Sequence, residues 1–246
     1  IKAIKNDISI YAIHTNLDNV YNGVNFKIAE KLGLINCKIL LPKNKFLKQL
    51  VVYCPLTHSE TLKEVMLDNG AGSSTNYDNC SFSSIGQGTF RPKEGSSPFV
   101  GGVGEVYDAE EVRLEFFLQK DTEKSLVKVM QDNHPYEQVA YQIYTLDNFS
   151  HDIGSGMIGD LSSEIESEIF MNFIKKQMNT DCIRHTKLLN KKIKRVAICG
   201  GSGSFLLQQA KNKKADIFIS SDFKYHEFFD ADKKIIIADI GHFESE

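Results

Sequence analysis

Apolar residues fall in short blocks of two kinds along this chain. The runs "ISIYAI" (residues 8–13), "IKRVAI", "ADIFIS" and "KKIIIADI" are continuous and rich in β-branched residues. That pattern is expected of strands covered on both faces, as in a parallel sheet. The segment "GVNFKIAEKLG" instead spaces Val24, Ile28 and Leu32 for one face of a helix and stops on Gly33. "CGGSGS" reads as a glycine turn, and "FLLQQAKNKK" after it as a helix whose basic end suits its C-terminal dipole. Strands alternating with short helices predict a parallel α/β sheet.

The middle of the chain has a different order. "KFLKQLVVYCP" predicts a strand, and "THSETLKEVMLDNG" a helix opened by Thr57 or Ser59 and closed by Asn69-Gly70. A polar, glycine-rich stretch over 70–104 reads as ribbon and loop. "EVRLEFFLQ", "DTEKSLVKVMQDN" and "QVAYQIYTL" then predict strand, helix and strand. Strand-helix-strand repeated in this way is the split βαβ, ferredoxin-like order. The chain is thus expected to fold as an α/β domain, residues 1–44 and 147–246, with an inserted ferredoxin-like α+β domain over 45–146.

Composition narrows the function classes. A length of 246 residues suffices for two modest domains, and a net charge of −3 with no long basic block gives no nucleic-acid arm. The longest apolar runs are about seven residues, against the roughly twenty that a membrane helix needs. Five scattered cysteines (Cys37, Cys54, Cys80, Cys182, Cys199) without a C-x-x-C pair suit a reducing cytoplasm and no disulfide framework. The chain opens without Met on "IKAIKND", which reads as the tail of a helix, so further N-terminal residues are expected ahead of it.

Two clusters carry candidate chemistry. His14 and Asp18 follow the first apolar run, and His242, Glu244 and Glu246 follow the last. In an open α/β sheet, ligands bind beyond the carboxyl ends of the strands, where both clusters are expected to sit. Imidazole with carboxylate is the ligand set of zinc, iron or manganese, and a carboxylate can bridge two ions. The plainer possibility is a loop-capping His14 and a solvated tail. His226, in "FKYHE", is either a general acid/base facing the same cleft or a helix-start residue bonded to backbone. "GGSGS" matches no nucleotide-binding fingerprint and fits a tight turn packing helix on strand better than a phosphate cradle.

Taken in order, "YAIHTNLDNVYNGVN", "GGSGS", "SDFKYHE" and "DIGHFESE" resemble the NIF-three-like family (NGG-one-interacting factor three), whose bacterial members are called GTP cyclohydrolase I type two homologues. "GAGSSTNYDNCSFSSIGQGTFRP", "EVRLEF" and "HPYEQVAYQIY" resemble the extra PII/CutA-like domain of its longer bacterial members. The resemblance implies a toroidal homohexamer with two divalent metal ions (Zn, Fe or Mn) in each subunit. Asp18 matches the family's bridging aspartate, and His242 and Glu246 match its C-terminal ligands, while Glu244 stands at the wrong spacing. The family's His-His-Pro motif would precede "IKAIKNDISIYA", so about half of the implied protein ligands are present. His14 is expected to approach the metals or to hold Asp18 in place.

Two functions follow. One is a metal-dependent hydrolase acting on a nucleotide or phosphoester, with His14 and His226 moving protons. The other is a non-catalytic regulatory protein, with structural metals and a ligand-sensing inserted domain. Neither calls for a membrane or nucleic-acid partner.

Overall fold

A computed structural model describes residues 1–74 and 76–246, the side chain of His151 excepted. In chain order its elements are α1 (Lys2–Lys5), α2 (Val24–Lys31), β1 (Ile35–Asn44), β2 (Leu47–Pro55), α3 (Leu56–Asp68), β3 (Ser81–Phe90), β4 (Tyr107–Gln119), α4 (Glu123–Asn133), β5 (Tyr141–Thr145), β6 (Phe149–Glu166), α5 (Ser167–Met178), β7 (Arg184–His185), β8 (Lys192–Ser202), α6 (Leu207–Asn212), β9 (Ile217–Ser221), β10 (Ile236–Asp239) and α7 (His242–Ser245). They divide into two compact units, Ile1–Lys43 with Ser150–Glu246, and Asn44–Phe149.

The first unit is built on a six-stranded sheet in the order β1-β6-β8-β9-β10-β7. Its centre is parallel, β8 with β9 and β9 with β10, as the continuous apolar runs predict. β6 and β7 join the two sides of this ladder antiparallel, so the sheet is mixed. Successive residues of the central strands feed opposite cores. Val196, Ile198, Ile217 and Ile219 pack with α2 and α5, whereas Ala197, Cys199 and Phe218 pack with Leu207 and Ala210 of α6. Burial on both faces is what removes any polar alternation from these strands.

The first apolar run does not become a strand. Residues 8–13 have no ladder partner, and Ile8, Ile10, Tyr11 and Ile13 are exposed. β-branched residues favour extended backbone only weakly; a strand forms where a partner edge and a covering layer exist, and this segment has neither here. His14 therefore follows coil and opens a short 3-10 turn over His14–Asn16. The glycine turn is also displaced, because β8 runs on through Gly200 and Gly201 to Ser202, with a register shift against β9 between Ile198 and Ser202.

The second unit is a four-stranded sheet in the order β3-β4-β2-β5, with every neighbouring pair antiparallel. With α3 after β2 and α4 after β4, this is the ferredoxin-like topology. Leu50, Val52 and Cys54 of β2 and Val112, Leu114, Phe116 and Leu118 of β4 alternate toward Leu62 and Met66 of α3 and Leu126 and Met130 of α4. The stretch over 70–104 contains the whole of β3, paired along its length with β4. α3 starts at Leu56 behind Pro55 and has no side-chain cap; the Ser59 hydroxyl donates to the Leu56 carbonyl instead.

His134, which ends α4, locks this unit in a neutral state. It is 9% exposed, its Nε2 meets the Tyr53 carbonyl at 2.9 Å, and its Nδ1 accepts the Tyr136 N–H at 3.1 Å. The accepting nitrogen cannot also carry a proton. Burial, the largest cause, lowers its pKa below the ordinary 6.5, and His58 adds to this, although the Tyr53 carbonyl opposes them. The unfolded chain then takes up a proton that the folded one resists, so stability is complete above the ordinary histidine value and is lost as pH falls below it. The thermal midpoint should fall by about 2–8 °C per kcal/mol lost as pH drops from about 7.5 to about 5.5. His134→Asn should flatten that slope in calorimetry.

Candidate metal centre

The two ends of the α/β unit meet at the end of β8. Asn25, 2% exposed on α2, donates from Nδ2 to the Asp18 carbonyl at 2.8 Å and accepts the Gly200 N–H on Oδ1 at 2.9 Å. The next residue, Gly201, donates its N–H to Ser245 Oγ at 2.9 Å, and that hydroxyl donates to the His242 carbonyl at 2.9 Å. One strand end therefore holds both clusters named from the sequence.

Gly200 is required by close approach and Gly201 by its left-handed backbone. A Cβ on Gly200 would lie 2.7 Å from the Ser245 carbonyl oxygen and 2.9 Å from Val24 Cγ1. Gly201 has φ +61°, and a Cβ there would lie 2.5 Å from Glu246 Oε1. Within "GGSGS", Gly200 makes room for α2 and for the His242–Glu246 segment, which is more than a turn demands.

His242 is held at both ring nitrogens. Nδ1 meets Asp222 Oδ2 at 2.5 Å, and Nε2 stands 3.3 Å from Glu246 Oε2. The bond to Asp222, helped by its charge and by Glu246, holds the imidazole protonated above the ordinary histidine range. With Nδ1–H given to Asp222, Nε2 is the nitrogen that a metal would take in place of its proton, the usual carboxylate–histidine arrangement. Two ligands of one ion with bonds of about 2.0–2.2 Å stand about 3.0–3.5 Å apart, so the Nε2–Oε2 spacing suits a shared ion.

Asp18 is half-buried in the turn before α2. Burial raises its carboxyl pKa, as does the nearby charge of Glu246, while His14 and His242 act in the opposite sense. Asp18, His14, His242 and Glu246 thus share one electrostatic neighbourhood. Cys199 belongs to it too: burial and the charges of Asp18 and Glu246 push its thiol up to about 12, against a hydrogen bond from Ser220. It is an inert, protonated neighbour rather than a thiolate ligand. Among the described residues, no group of three or more His, Cys, Asp and Glu side chains is gathered so that it could hold a metal ion. The donors fit an ion in chemistry and, for His242 with Glu246, in spacing; the rest of a coordination shell is not assembled by these residues.

Among the described residues, His226 makes no hydrogen bond or ion pair to Asp18, His242 or Glu246. It is exposed at the start of a 3-10 turn over Glu227–Ala231, its carbonyl accepts the Phe229 N–H, and its ring packs edge-on against Tyr225 at 5.3 Å. Asn25, Asp222 and Ser245, which hold the cluster, lie inside the quoted motifs "YAIHTNLDNVYNGVN", "SDFKYHE" and "DIGHFESE", but the sequence reading gave them no role, because their partners are distant in the chain.

The Duf34/NIF3 (NGG1p interacting factor 3) family model matches residues 1–246. The chain belongs to this family. Within Duf34/NIF3 it is 37% identical over 244 residues to a Bacillus subtilis protein called GTP cyclohydrolase 1 type 2 homolog, which covers 98% of this chain and 65% of that one. A Halalkalibacterium halodurans protein of the same name is 38% identical over 243 residues, with the same coverage. Among solved structures, a Bacillus cereus protein related to NIF3 superposes with a TM-score of 0.83 at 40% identity, covering 99% of this chain and 65% of its own. This Duf34/NIF3 chain therefore spans just under two thirds of the length of the relatives it matches. No helix among the described residues is long and apolar enough to cross a membrane.

Gly201 offers a test of the left-handed backbone. Gly33 shares its left-handed backbone, with φ +67°, but a Cβ there would meet nothing within 4 Å. Gly33→Ala should cost only the conformational term of about 1–2 kcal/mol. Gly201→Ala should cost about the same in denaturant unfolding, because the oxygen its methyl meets is the far end of the partly exposed Glu246 side chain, which can swing aside at the expense of its spacing to His242.

Proposed function

We propose that this chain carries the metal-side residues of a hydrolase acting on a nucleotide or phosphoester, with Asp18, His242 and Glu246 as ligands to a pair of divalent ions (Zn, Fe or Mn). The observation that carries the proposal is the His242–Glu246 pair at 3.3 Å, with Asp222 fixed on the far side of the imidazole. Such ions supply a water deprotonated near neutral pH and a clamp for an oxyanion. Asp222 orients His242 through Nδ1, so that Nε2, on giving up its proton, would be the metal-binding nitrogen. Glu246, four residues on along one helical turn, presents its carboxylate beside that nitrogen. Asp18 brings a third carboxylate whose backbone is fixed by Asn25. His14, whose charge Asp18 feels, is the group placed to take up or release a proton beside it.

The names of the relatives, GTP cyclohydrolase 1 type 2 homolog, are compatible with this chemistry, since ring opening of a purine nucleotide needs an activated water. We assign the protein to a homohexameric ring in a reducing cytoplasm. Exposed Ile10, Tyr11, Phe205, Tyr225 and Phe243 supply apolar surface that an assembly would cover, and all five cysteines are free. The second reading is a regulatory protein with structural metals. What favours it is that His226, one of the two groups expected to move protons, shares no hydrogen bond or ion pair with the cluster among the described residues.

The two readings separate in the intact protein. Asp18→Ala removes a carboxylate between cations and should lower metal affinity by at least about 10–100-fold, the range already typical of losing a residue that merely orients a ligand. His226→Ala should keep its metal. Elemental analysis of both variants, followed by nucleotide hydrolysis with and without chelator, reads the outcome; full occupancy in Asp18→Ala would show that this aspartate is no ligand.

A further inference from the structure

The ferredoxin-like unit contains a cleft that the metal chemistry does not use. It encloses about 1020 Å³, at the upper end of ordinary small-molecule sites, and lies wholly within the Asn44–Phe149 unit. Its walls include Tyr53, Phe90, Phe99 and Tyr136, with ring centroids of Phe90 and Phe99 each 6.2 Å from that of Tyr136. Glu111 of β4 also lines it.

Glu111 is an unusual residue to find there. It is only 9% exposed, and among the described residues no lysine, arginine or histidine forms an ion pair with it. Its Oε1 accepts the Tyr136 hydroxyl at 2.9 Å, whereas no described donor reaches Oε2. A Cβ on Gly88 would stand 2.2 Å from that oxygen, so glycine at this position is what leaves the carboxylate its place. A charge taken out of water is normally paired, and removing one partner of a buried pair is costly because it strands the other. Here the carboxylate has no cation among the described residues, and its residue lines the cleft.

The charges around it decide what would pair with it. Arg91 and Lys93 line the cleft but are exposed, and the carboxylates of Glu94 and Glu137 line it too, Glu137 accepting the Ser97 N–H on both oxygens at 3.1 Å. Two cations against two carboxylates leave Glu111 as the uncompensated charge. Aromatic faces attract cations as well. We propose that this cleft binds a small organic cation bearing N–H donors, an amine or amidine, whose charge pairs with Glu111 between the rings of Phe90, Phe99 and Tyr136. The ligand completes an ion pair of which the protein supplies one half, and Tyr136 fixes the carboxylate for it. This site is independent of the metal-side reading, and either can fail without the other.

Three isosteres test the proposal on the unmodified chain by ligand-observed NMR and titration calorimetry. Benzamidinium, neutral benzamide and benzoate differ mainly in charge and donors. Benzamidinium should bind at least about tenfold more tightly than benzamide, as expected when a charge-assisted pair is lost, and benzoate should not compete with it. Glu111→Gln keeps the size of the side chain and an acceptor for Tyr136, and should abolish the preference for the cation while the thermal midpoint stays within a few degrees. Tyr136→Phe should retain the preference. Benzoate binding as well as benzamidinium would overturn the proposal, as would an undiminished preference in Glu111→Gln. So would the absence of binding by both benzamidinium and tyramine at millimolar concentration.

Discussion

The α/β unit depends on the two-way hydrogen bond of Asn25. Its amide is fully buried, its NH₂ holds the carbonyl of Asp18 and its oxygen holds the N–H of Gly200. An apolar residue here would leave the buried Gly200 N–H without this partner, at about 1–3 kcal/mol, and release the half-buried Asp18 carbonyl as well. The preceding residues are tied down in the same way: Gly154 donates to the Asn19 carbonyl at 2.9 Å and Ser155 Oγ donates to Asn19 Oδ1 at 2.7 Å. Irregular chain without strand or long helix is thereby held in register with β6 and β8, and Asp18 with it.

From that anchor the rest of the cluster follows by proximity. Gly200 lets α2 and α7 approach one strand end from two directions, which a side chain would prevent. Asp222, after β9, reaches the first residue of α7 because β9 and β10 are parallel neighbours, so their carboxyl ends lie on the same side of the sheet. The His242 imidazole is then fixed by one carboxylate and paired with another. The same economy appears in the inserted unit, where Gly88 admits Glu111 and Tyr136 steadies it. In both places a glycine without a side chain positions a carboxylate that has one.

Much of the architecture was legible because apolar period reports burial. Val196 to Cys199 and Ile235 to Ala238 are apolar without interruption since both faces of those strands are covered, whereas β2 and β4 alternate since their core lies to one side. The run over 8–13 has the same composition as those strands and a different outcome. Nothing local distinguishes it; what it lacks is a neighbouring edge. β1, β6 and α5 escaped the sequence reading for the converse reason, since the 18 residues of β6 mix Gly, Ser and Asp with apolar positions and owe their extension to partners on either side.

The sequence alone determined which residues are candidates for chemistry: His14 and Asp18 near one end, His242 and Glu246 four residues apart near the other, with the turn-to-helix spacing that puts the latter two on one face. It also determined the family, through several short motifs in a set order. The tertiary structure decided that these ends meet, that Asn25, Asp222 and Ser245 hold them, and that Glu111 is buried without a cation among the described residues. Those facts depend on contacts between residues 20 to more than 170 positions apart. Local propensity cannot report such contacts, because chain closure over that distance is set by the packing of the whole sheet.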